Sequence, residues 1–340
     1  MSITLKIINY LKKDEIFYIN ISENDRMIDI RKDIQEKSVY FSEKSYNRIG
    51  LFIFVPKELL KQNEKDKNNK SKRLFSFQNK KFDIKENYPE RLNLSTKNDL
   101  NIFESYPYIK NNSKTITLYT YDLGIQINTP LANIIEYSSP IIILLFYILK
   151  YSYFNIKKPL NKIQIWTIIM IIFHYSKRVL ESIFVHIQIN TMEFKMFLIE
   201  CLYYIIYFGV YAQKKIFSIE NEIVDNFKYF YILLFFISEI NNYHCHIILR
   251  KIRLKNWNNR EIPNGNIFNY VYCANYFWEI CSWLFISIFS SIKSIYFFTI
   301  MGGAIMTLWA LEKKEFYNKM LYKKYNKINN NKNAIIPFII

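Results

Sequence analysis

The chain has 340 residues, of which 51% are hydrophobic and 18% aromatic, and its formal net charge is +17. Its mean hydropathy is nevertheless only −0.05. A soluble domain rarely combines so many aromatic residues with so large a charge, so the apolar and charged residues must be segregated along the chain. This composition argues against a single soluble domain. Because no nucleic-acid-binding motif accompanies the basic charge, we expect no nucleic-acid partner.

Residues 1–125 are polar, and their pattern predicts a small α+β domain. Residues 27–38 have the spacing of a short amphipathic helix, with Ile28, Ile30 and Ile34 as its apolar positions. Strand–strand–helix–strand–strand is the order of a ubiquitin-like β-grasp domain, and we predict that fold here. Four segments have the alternating pattern of β-strands: residues 2–9, 15–21, 50–55 and 115–121.

An insert rich in Lys, Asn, Asp and Glu interrupts this domain at about residues 58–112. Such a composition buries too little apolar surface to order itself fully. A conjugated modifier is excluded, because the domain has no terminal Gly-Gly pair. We therefore expect the domain to be a scaffold or docking module.

From about residue 131 onward, long apolar runs alternate with short basic loops. A membrane-crossing helix needs about 20 mostly apolar residues. The apolar runs at 140–149 and 230–240 have little of the polar face that an amphipathic helix shows. This argues against the buried helical core of a soluble protein. We predict an all-α polytopic membrane domain over residues 126–340. Six segments are predicted to cross the membrane: about 131–150, 163–185, 194–212, 228–249, 268–289 and 292–310.

With six crossings, both termini lie on the same side of the membrane. The basic segments at 250–260 and 313–332 favour the cytosol for that side, because basic loops tend to stay cytosolic. The lysines at 157, 158 and 162 follow the first crossing and count against this orientation.

Several polar residues lie inside the predicted crossings, where ionisable groups cost several kcal/mol and mark functional sites by default. In the six-span topology the polar residues fall toward one leaflet, whereas independent structural polar residues would scatter in depth. Their convergence predicts one polar pocket open to the cytosol. The residues that define it are Glu136, Tyr175, Arg178, Asn242, Arg250, Asn275 and Glu279.

A metal is a poor ligand for this pocket. Membrane di-iron enzymes need about eight clustered histidines, and this chain has four. A nucleotide would have to be held without a Rossmann turn, because the six glycines form no GxGxxG motif. Arg250 and Arg253 lie one helical turn apart and, with Arg260, have the chemistry to hold phosphates. The alternative, a basic loop that only sets topology, stays open.

Six strings occur in an order and spacing that resemble the steroid 5α-reductase superfamily, and within it the very-long-chain trans-2,3-enoyl-CoA reductases. The resemblance covers nearly the whole chain except the insert. Steroid reductases lack an N-terminal ubiquitin-like domain, so the enoyl-CoA branch is favoured. The strings are LYTYDLGIQI (118–127), IEYSSP (135–140), HYSKRVLESIFVH (174–186), NYHCHIILRKIR (242–253), REIPNGNIFNYVYCANYFWEICSW (260–283) and AIIPFII (334–340).

The chain departs from the family pattern at a few positions. The family's CPNY reads CANY, with Ala274 in place of proline. Lys313 and Lys314 stand where steroid reductases carry histidines, and either lysine still offers a cation to a phosphate. His246 stands where steroid reductases carry an acidic residue, which again favours the enoyl-CoA branch.

The resemblance implies NADPH-dependent reduction of trans-2-enoyl-CoA to saturated acyl-CoA, the last step of the very-long-chain fatty-acid elongation cycle. It implies an endoplasmic reticulum membrane protein that works beside other elongation enzymes. The alternatives are a steroid or polyprenoid enone reductase of the same superfamily and a non-catalytic membrane scaffold.

The resemblance also implies roles for individual residues. Glu136 and Tyr175 would polarise the substrate carbonyl. Tyr276 would donate the final proton, although the choice between Tyr276 and Tyr175 stays open. The residues that look like the NADPH-contacting set are Asn242, Arg250, Arg253, Asn275, Glu279 and Tyr317.

Overall fold

The chain divides into two compact units, Met1–Gln126 and Ile127–Ile340. The predicted insert lies outside the described residues except for residues 90–93, and so do Arg260 and the last three residues of the AIIPFII string. The computed structural model describes residues 3–10, 12, 14–22, 25–55, 90–93, 115–154, 159–187, 191–219, 226–255, 261–325 and 332–337.

The described part of the N-terminal unit contains one α-helix, α1 (Met27–Lys37), and a five-stranded sheet in the order β2-β1-β5-β3-β4. β1 and β5 are parallel, and the other neighbouring strands are antiparallel. The four predicted strands and the helix are present, and a further strand, β4, forms inside the segment predicted to be an insert. The strands are β1 (Ile3–Asn9), β2 (Ile16–Ile21), β3 (Ile49–Val55), β4 (Glu90–Asn93) and β5 (Thr115–Asp122).

One face of α1 closes the apolar core of this unit. Met27, Ile30 and Ile34 are buried against Leu5, Ile7 and other strand residues. They are spaced i, i+3, i+7, which places them on one side of the helix. The predicted apolar position Ile28 is only half-buried, because it lies about 100° around the helix from Met27.

The second unit is mostly helical. A short two-stranded sheet pairs β6 with β7. Two helices continue into π-helical segments, α3 through Glu181–Val185 and α4 through Leu202–Ala212. The elements are β6 (Gln126–Asn128), α2 (Thr129–Phe154), α3 (Lys162–Leu180), β7 (Thr191–Glu193), α4 (Phe194–Cys201), α5 (Asn226–Lys255), α6 (Ala274–Ser290) and α7 (Lys293–Tyr325).

This unit is a multi-pass membrane domain. Its described helices expose large apolar side chains such as Leu149 and Phe184, as helices in contact with lipid do. The other two predicted crossings, α3 and α6, are helical but do not meet the length and apolarity needed for a crossing by themselves. Four described helical segments do meet them: Thr129–Phe154, Phe194–Ser218, Phe227–Lys255 and Lys293–Asn318.

The polarity of α3 and the late start of α6 have identifiable causes. α3 carries His174, Lys177 and Arg178 within its last two turns. α6 has only 17 residues, because the chain before it pairs with the C-terminal segment and cannot be helical. The backbone N–H groups of Tyr272 and Cys273 donate to the carbonyls of residues 333 and 334 at 2.9 and 3.0 Å.

Candidate functional site

The last turns of α3 and the start of its π-helical continuation present four polar side chains on one face. His174, Lys177, Arg178 and Glu181 are spaced i, i+3, i+4, i+7, so they follow one side of the helix. His174 and Glu181 are almost completely buried, at 2% and 1% exposure. Arg178 Nη1 donates to Glu181 Oε2 at 2.8 Å. This face is therefore a polar strip directed into the protein.

α5 supplies a matching strip of Glu239, Asn242 and His246, again spaced i, i+3, i+7. Glu239 Oε1 is 2.7 Å from His174 Nδ1, and Glu239 Oε2 is 2.7 Å from Lys177 Nζ. The Lys177 ammonium also donates to the side-chain oxygen of Asn242. The two helices are thus joined by charge-assisted hydrogen bonds between largely buried side chains.

α6 completes the arrangement from its first turns. Asn242 Nδ2 donates to the Asn275 backbone carbonyl at 2.8 Å and to Glu279 Oε2 at 3.1 Å. The other Glu279 oxygen lies 3.3 Å from His174 Nε2 and 3.7 Å from Arg178 Nε. Side chains of α3, its π-helical continuation, α5 and α6 therefore form one connected cluster. We call the polar cluster the set His174, Lys177, Arg178, Glu181, Glu239, Asn242, His246 and Glu279.

The polar cluster is costly to bury. Each ion taken out of water loses several kcal/mol of hydration free energy. Only close pairing and further hydrogen bonds offset that loss. In a membrane domain, apolar side chains would fill the same space without that cost. Buried charge retained at such a place marks function.

Two residues of the polar cluster and the neighbouring His186 have the composition of a metal site. Glu181, His186 and His246 offer ligand atoms that all lie within 4.8 Å of one another. Arg178 Nη1, however, is 2.8 Å from Glu181 Oε2 and 3.1 Å from His246 Nε2. A guanidinium always carries its charge and only donates. It already provides the cation for these acceptors, so the geometry favours a hydrogen-bonded network over a metal centre.

The predicted carbonyl-polarising residues both carry buried polar atoms without a hydrogen bond among the described residues: Glu136 Oε1 and the Tyr175 hydroxyl. The carboxyl group of Glu136 adjoins that of Glu200 on α4. Tyr175 lies between the rings of Phe208 and Trp283, at 5.5 and 5.6 Å. The two residues are thus not hydrogen-bonded to each other. The Tyr175 hydroxyl can donate to a ligand carbonyl, and Glu136 can do so only as a protonated carboxyl, because a carboxylate only accepts.

Pro140, one helical turn later in α2, changes the hydrogen bonding of the Glu136 backbone. Proline has no N–H, so the Glu136 backbone carbonyl loses its usual helical partner. The Ser139 hydroxyl donates to that carbonyl at 3.1 Å. On the other side, Gln213 Nε2 donates to the Pro140 carbonyl at 3.1 Å. The proline in the IEYSSP string thus ties α2 to the end of the π-helical segment after α4.

Tyr276, the predicted proton donor, contacts α7. Lys313 Nζ donates to the Tyr276 hydroxyl at 2.9 Å and lies 4.4 Å from the centre of its ring. Tyr317, one turn after Lys313, stacks on Tyr272 with ring centres 5.3 Å apart. Tyr272, Tyr317 and the C-terminal residues Ala334 and Ile335 belong to one buried apolar cluster, against which Tyr276 packs.

The C-terminal segment fixes where α6 begins. The Asn333 N–H donates to the Tyr270 carbonyl at 2.9 Å, and Val271 and Asn333 form a parallel bridge. Lys332 Nζ donates to the Pro263 carbonyl at 3.1 Å and to Asn264 at 2.6 Å. Residues 332–335 therefore hold the chain immediately before the helix that carries Asn275, Tyr276 and Glu279.

The two predicted phosphate-binding arginines lie at the end of α5. Arg250 Nη1 donates to the carbonyls of Phe184 and Val185, in the π-helical segment after α3. Arg250 thus has a structural contact that the sequence did not indicate. Arg253 lies one turn further along α5 and is half-buried.

Comparisons with known proteins identify the family. A family model described as 3-oxo-5-alpha-steroid 4-dehydrogenase matches residues 183–340. A very-long-chain enoyl-CoA reductase of Dictyostelium discoideum is 34% identical over 229 residues, which cover 66% of this chain and 74% of the relative. The chain belongs to the very-long-chain enoyl-CoA reductase family. A Caenorhabditis elegans relative named as such a reductase is 31% identical over 247 residues, covering 67% of this chain and 77% of the relative.

A human protein named trans-2,3-enoyl-CoA reductase-like is 26% identical over 273 residues. That match covers 74% of this chain and 73% of the relative. Membership makes this protein an oxidoreductase.

The structure brings only some of the predicted site residues of this reductase into direct contact with one another. Arg178, Asn242 and Glu279 share the polar cluster, and Asn275 contacts it through its backbone carbonyl. Five other predicted residues are held by separate contacts described above: Glu136, Tyr175, Arg250, Tyr276 and Tyr317. The sequence does not fix this division, because helical spacing defines a face but not the neighbouring helix.

Sequence reasoning missed three residues of this reductase's site. Glu239 contacts both His174 and Lys177, Glu200 adjoins Glu136, and the Tyr137 hydroxyl accepts from Arg178 Nη2 at 3.0 Å. Glu239 could have been found, because it is an acidic residue within an apolar run and lies three residues before Asn242. Nothing in the sequence distinguished Tyr137 from the other tyrosines of the chain, which has 28 in all.

Proposed function

We propose that the protein reduces trans-2-enoyl-CoA to saturated acyl-CoA with NADPH, as the last step of a very-long-chain fatty-acid elongation cycle. The names of its relatives support this substrate. The observation that carries the proposal is the polar cluster, in which buried side chains of three helices meet inside a membrane domain. A non-catalytic scaffold would gain nothing from burying so many charges.

The chemistry of the available donors fits a dinucleotide. Arg250 and Arg253 supply guanidinium groups for phosphates. Asn242, Asn275 and Glu279 supply amide and carboxylate groups suited to a carboxamide or ribose, and Tyr317 adds an aromatic face beside Tyr272. When bound, NADPH supplies a hydride to the substrate's β-carbon.

The protein's own residues would polarise the thioester and deliver the proton. In this proposal the Tyr175 hydroxyl and a protonated Glu136 carboxyl donate to the thioester carbonyl and orient it, and the buried atoms of both that have no partner are available for that role. Tyr276 then donates a proton to the α-carbon. We prefer Tyr276 to Tyr175 as the donor because a cation, Lys313, contacts the Tyr276 hydroxyl, whereas aromatic rings surround Tyr175.

We further propose that the membrane domain crosses the endoplasmic reticulum membrane six times, with α3 and α6 as crossings shielded by the other helices and both termini in the cytosol. The N-terminal unit would be a ubiquitin-like β-grasp domain, as its sheet order and its parallel central pair β1–β5 support. Other elongation enzymes would be its partners.

A second candidate is a steroid or polyprenoid enone reductase. The description of the matching family model, a 3-oxo-steroid dehydrogenase, favours it. Both candidates reduce a double bond conjugated to a carbonyl, so the polar cluster does not separate them. The N-terminal unit favours the enoyl-CoA substrate, since the resemblance to steroid reductases does not extend to it.

The test is an assay of the full-length protein in microsomes with NADPH. One set of reactions receives trans-2-enoyl-CoA of several chain lengths, and the other receives a 3-oxo-4-ene steroid. We expect saturated acyl-CoA from the first set and no reduced steroid from the second. Reduction of the steroid alone would overturn the enoyl-CoA proposal, and reduction of neither would support a scaffold. Rescue of cells lacking an elongation reductase, with product chain lengths measured, tests the place in the cycle.

A further inference from the structure

The contact between Lys313 and Tyr276 defines the direction of a hydrogen bond. An ammonium group has three donors and no acceptor. The Tyr276 oxygen therefore accepts from Lys313 Nζ at 2.9 Å, and the phenol's own O–H remains available to donate elsewhere. A tyrosine held in this way can lose its proton to a substrate while its oxygen keeps a cationic partner.

Packing fixes this geometry from both helices. Ala310 and Tyr317, about one turn before and after Lys313 on α7, lie in the same buried cluster as Cys273, one residue before α6 begins. The Cys273 N–H is itself bonded to the Ala334 carbonyl at 3.0 Å. Lys313 also lies 4.4 Å from the centre of the Tyr276 ring, within the range of a cation–π contact. The ammonium is thus held against this phenol by surrounding structure.

The other tyrosine proposed for the site has no such partner. The Tyr175 hydroxyl is buried without a hydrogen bond among the described residues. Its ring neighbours are His174, Phe208 and Trp283. A phenolate formed there would be desolvated without a cation beside it, which is costly. Of the two tyrosines, only Tyr276 combines an available proton with a contact that stabilises the anion left behind.

We propose that Lys313 is a positioning residue for enoyl-CoA reduction, acting through Tyr276 rather than through a cofactor phosphate. The inference rests on the proposed function. After hydride reaches the β-carbon, the α-carbon carries the negative charge as an enolate. The Tyr276 O–H bond breaks and a C–H bond forms at the α-carbon, leaving the electron pair on the phenolate. Lys313 stabilises that phenolate, passes it a proton and is then reprotonated by a proton from bulk solvent, so the reaction as a whole consumes one hydride and one solvent proton.

The experiment compares purified full-length Lys313→Met, Lys313→Arg and Lys293→Met with the unaltered protein. Lys293 is the matched control, because it is an exposed lysine at the other end of α7. A hydrogen bond to a charged group is worth about 1.5–3 kcal/mol, so Lys313→Met should lower kcat about 10- to 100-fold. Lys313→Arg, which keeps a cation, should recover most of the loss. The KM for NADPH should stay within about twofold.

A second readout reports on the proton itself. If Lys313 assists proton donation, Lys313→Met should raise the solvent deuterium isotope effect on kcat, because proton transfer then limits the rate more strongly. In a Tyr276→Phe background, Lys313→Met should cause little further loss of residual activity, because the residue through which it acts is gone.

Several results would overturn the inference. An increase in the KM for NADPH with unchanged kcat and isotope effect would assign Lys313 to a phosphate. Additive losses in the double variant would give Lys313 a role independent of Tyr276. If Lys313→Met fails to fold, Lys313→Arg decides, since a kcat loss without a rise in the isotope effect would indicate packing alone. An unaltered protein that does not reduce enoyl-CoA would instead defeat the proposed function, and this inference with it.

Discussion

The N-terminal unit keeps its ion pairs at the margin of an apolar core, whereas the membrane unit carries them inside. In the first unit Arg48 and Asp122 pair at 2.7 Å with 28% and 12% of their side chains exposed. In the second, Lys177 and Glu239 pair at 2.7 Å with 12% and 1% exposed. The same type of contact therefore has different consequences in the two units.

The difference separates stability from function. A pair at the margin keeps part of its hydration, so it costs little to form and contributes about 0–1 kcal/mol. Both groups of a buried pair have lost their hydration, and their attraction to each other offsets that loss. Removal of one partner therefore leaves an uncompensated charge. We expect substitutions in the polar cluster to be severe and those in the N-terminal ion pair to be mild.

The largest effect should follow from Glu239→Ala. This change leaves His174 and Lys177 without their nearest carboxylate, and breaking a buried pair in this way costs about 3–5 kcal/mol. The thermal denaturation midpoint of the detergent-solubilised protein should fall strongly. Leu233→Ala, at an exposed position of the same helix, is the control and should change the midpoint little. Equal midpoints for the two variants would contradict the comparison.

Tyr276→Phe and Tyr175→Phe should both lower turnover while the protein still inserts into the membrane. Loss of a general acid costs about 10²–10⁴-fold, so we expect at least a 100-fold fall in kcat for Tyr276→Phe. Microsomes carrying each variant would be assayed with trans-2-enoyl-CoA and NADPH. Tyr270→Phe, at an exposed tyrosine, is the control. Unaltered rates from both site variants would refute their assignment.

Arg253→Ala should weaken NADPH binding more than substrate binding. Loss of one charge-assisted contact to a phosphate is worth about tenfold in affinity, and it should appear as a higher KM for NADPH with little change in the KM for enoyl-CoA. Lys251→Ala removes a charge from an exposed position of the same helix and serves as the comparison. If both KM values rise together for Arg253→Ala, a general folding defect is the better explanation.

The smallest effect should come from Asp122→Asn in the N-terminal unit. Asp122 accepts from Arg48 Nε and Nη2 at 3.0 and 2.7 Å, and loss of this partly exposed pair should cost about 1 kcal/mol. Hydrogen exchange of the full-length protein should speed up in residues 115–122. Turnover should not change. A loss of activity comparable to that of the polar-cluster variants would remove the contrast between the units.

The same pair predicts a pH dependence. Burial alone would raise the pKa of Asp122, but hydrogen bonds from Arg48 and the Gly124 N–H outweigh it and hold the pKa below its ordinary value of 3.8. A carboxyl with a lowered folded-state pKa stabilises the fold above its unfolded-state pKa, and that contribution disappears as the pH falls through the folded-state pKa. Protection of residues 115–122 should therefore fall below about pH 4, and Asp122→Asn should lack this component.

Much of the architecture was predictable because it depends on local pattern. The alternation in residues 2–9 and 115–121 predicted β1 and β5, and the length of the apolar runs predicted the four crossing segments. The start of α6 was not predictable, because the tail at residues 332–335 pairs with the chain before it. Contacts between segments so far apart in sequence leave no periodic signal.

For the candidate site, the sequence alone determined which residue types lie within apolar helices and which of them share a helical face, as His174, Lys177 and Arg178 do. It also determined the family, through strings such as 174–186 and 260–283. Only the tertiary structure decided the partners: Glu239 with His174, Arg178 with Tyr137, and Lys313 with Tyr276. Helical periodicity fixes the direction of a side chain around its own axis, whereas its partner depends on which helix packs opposite and at what height.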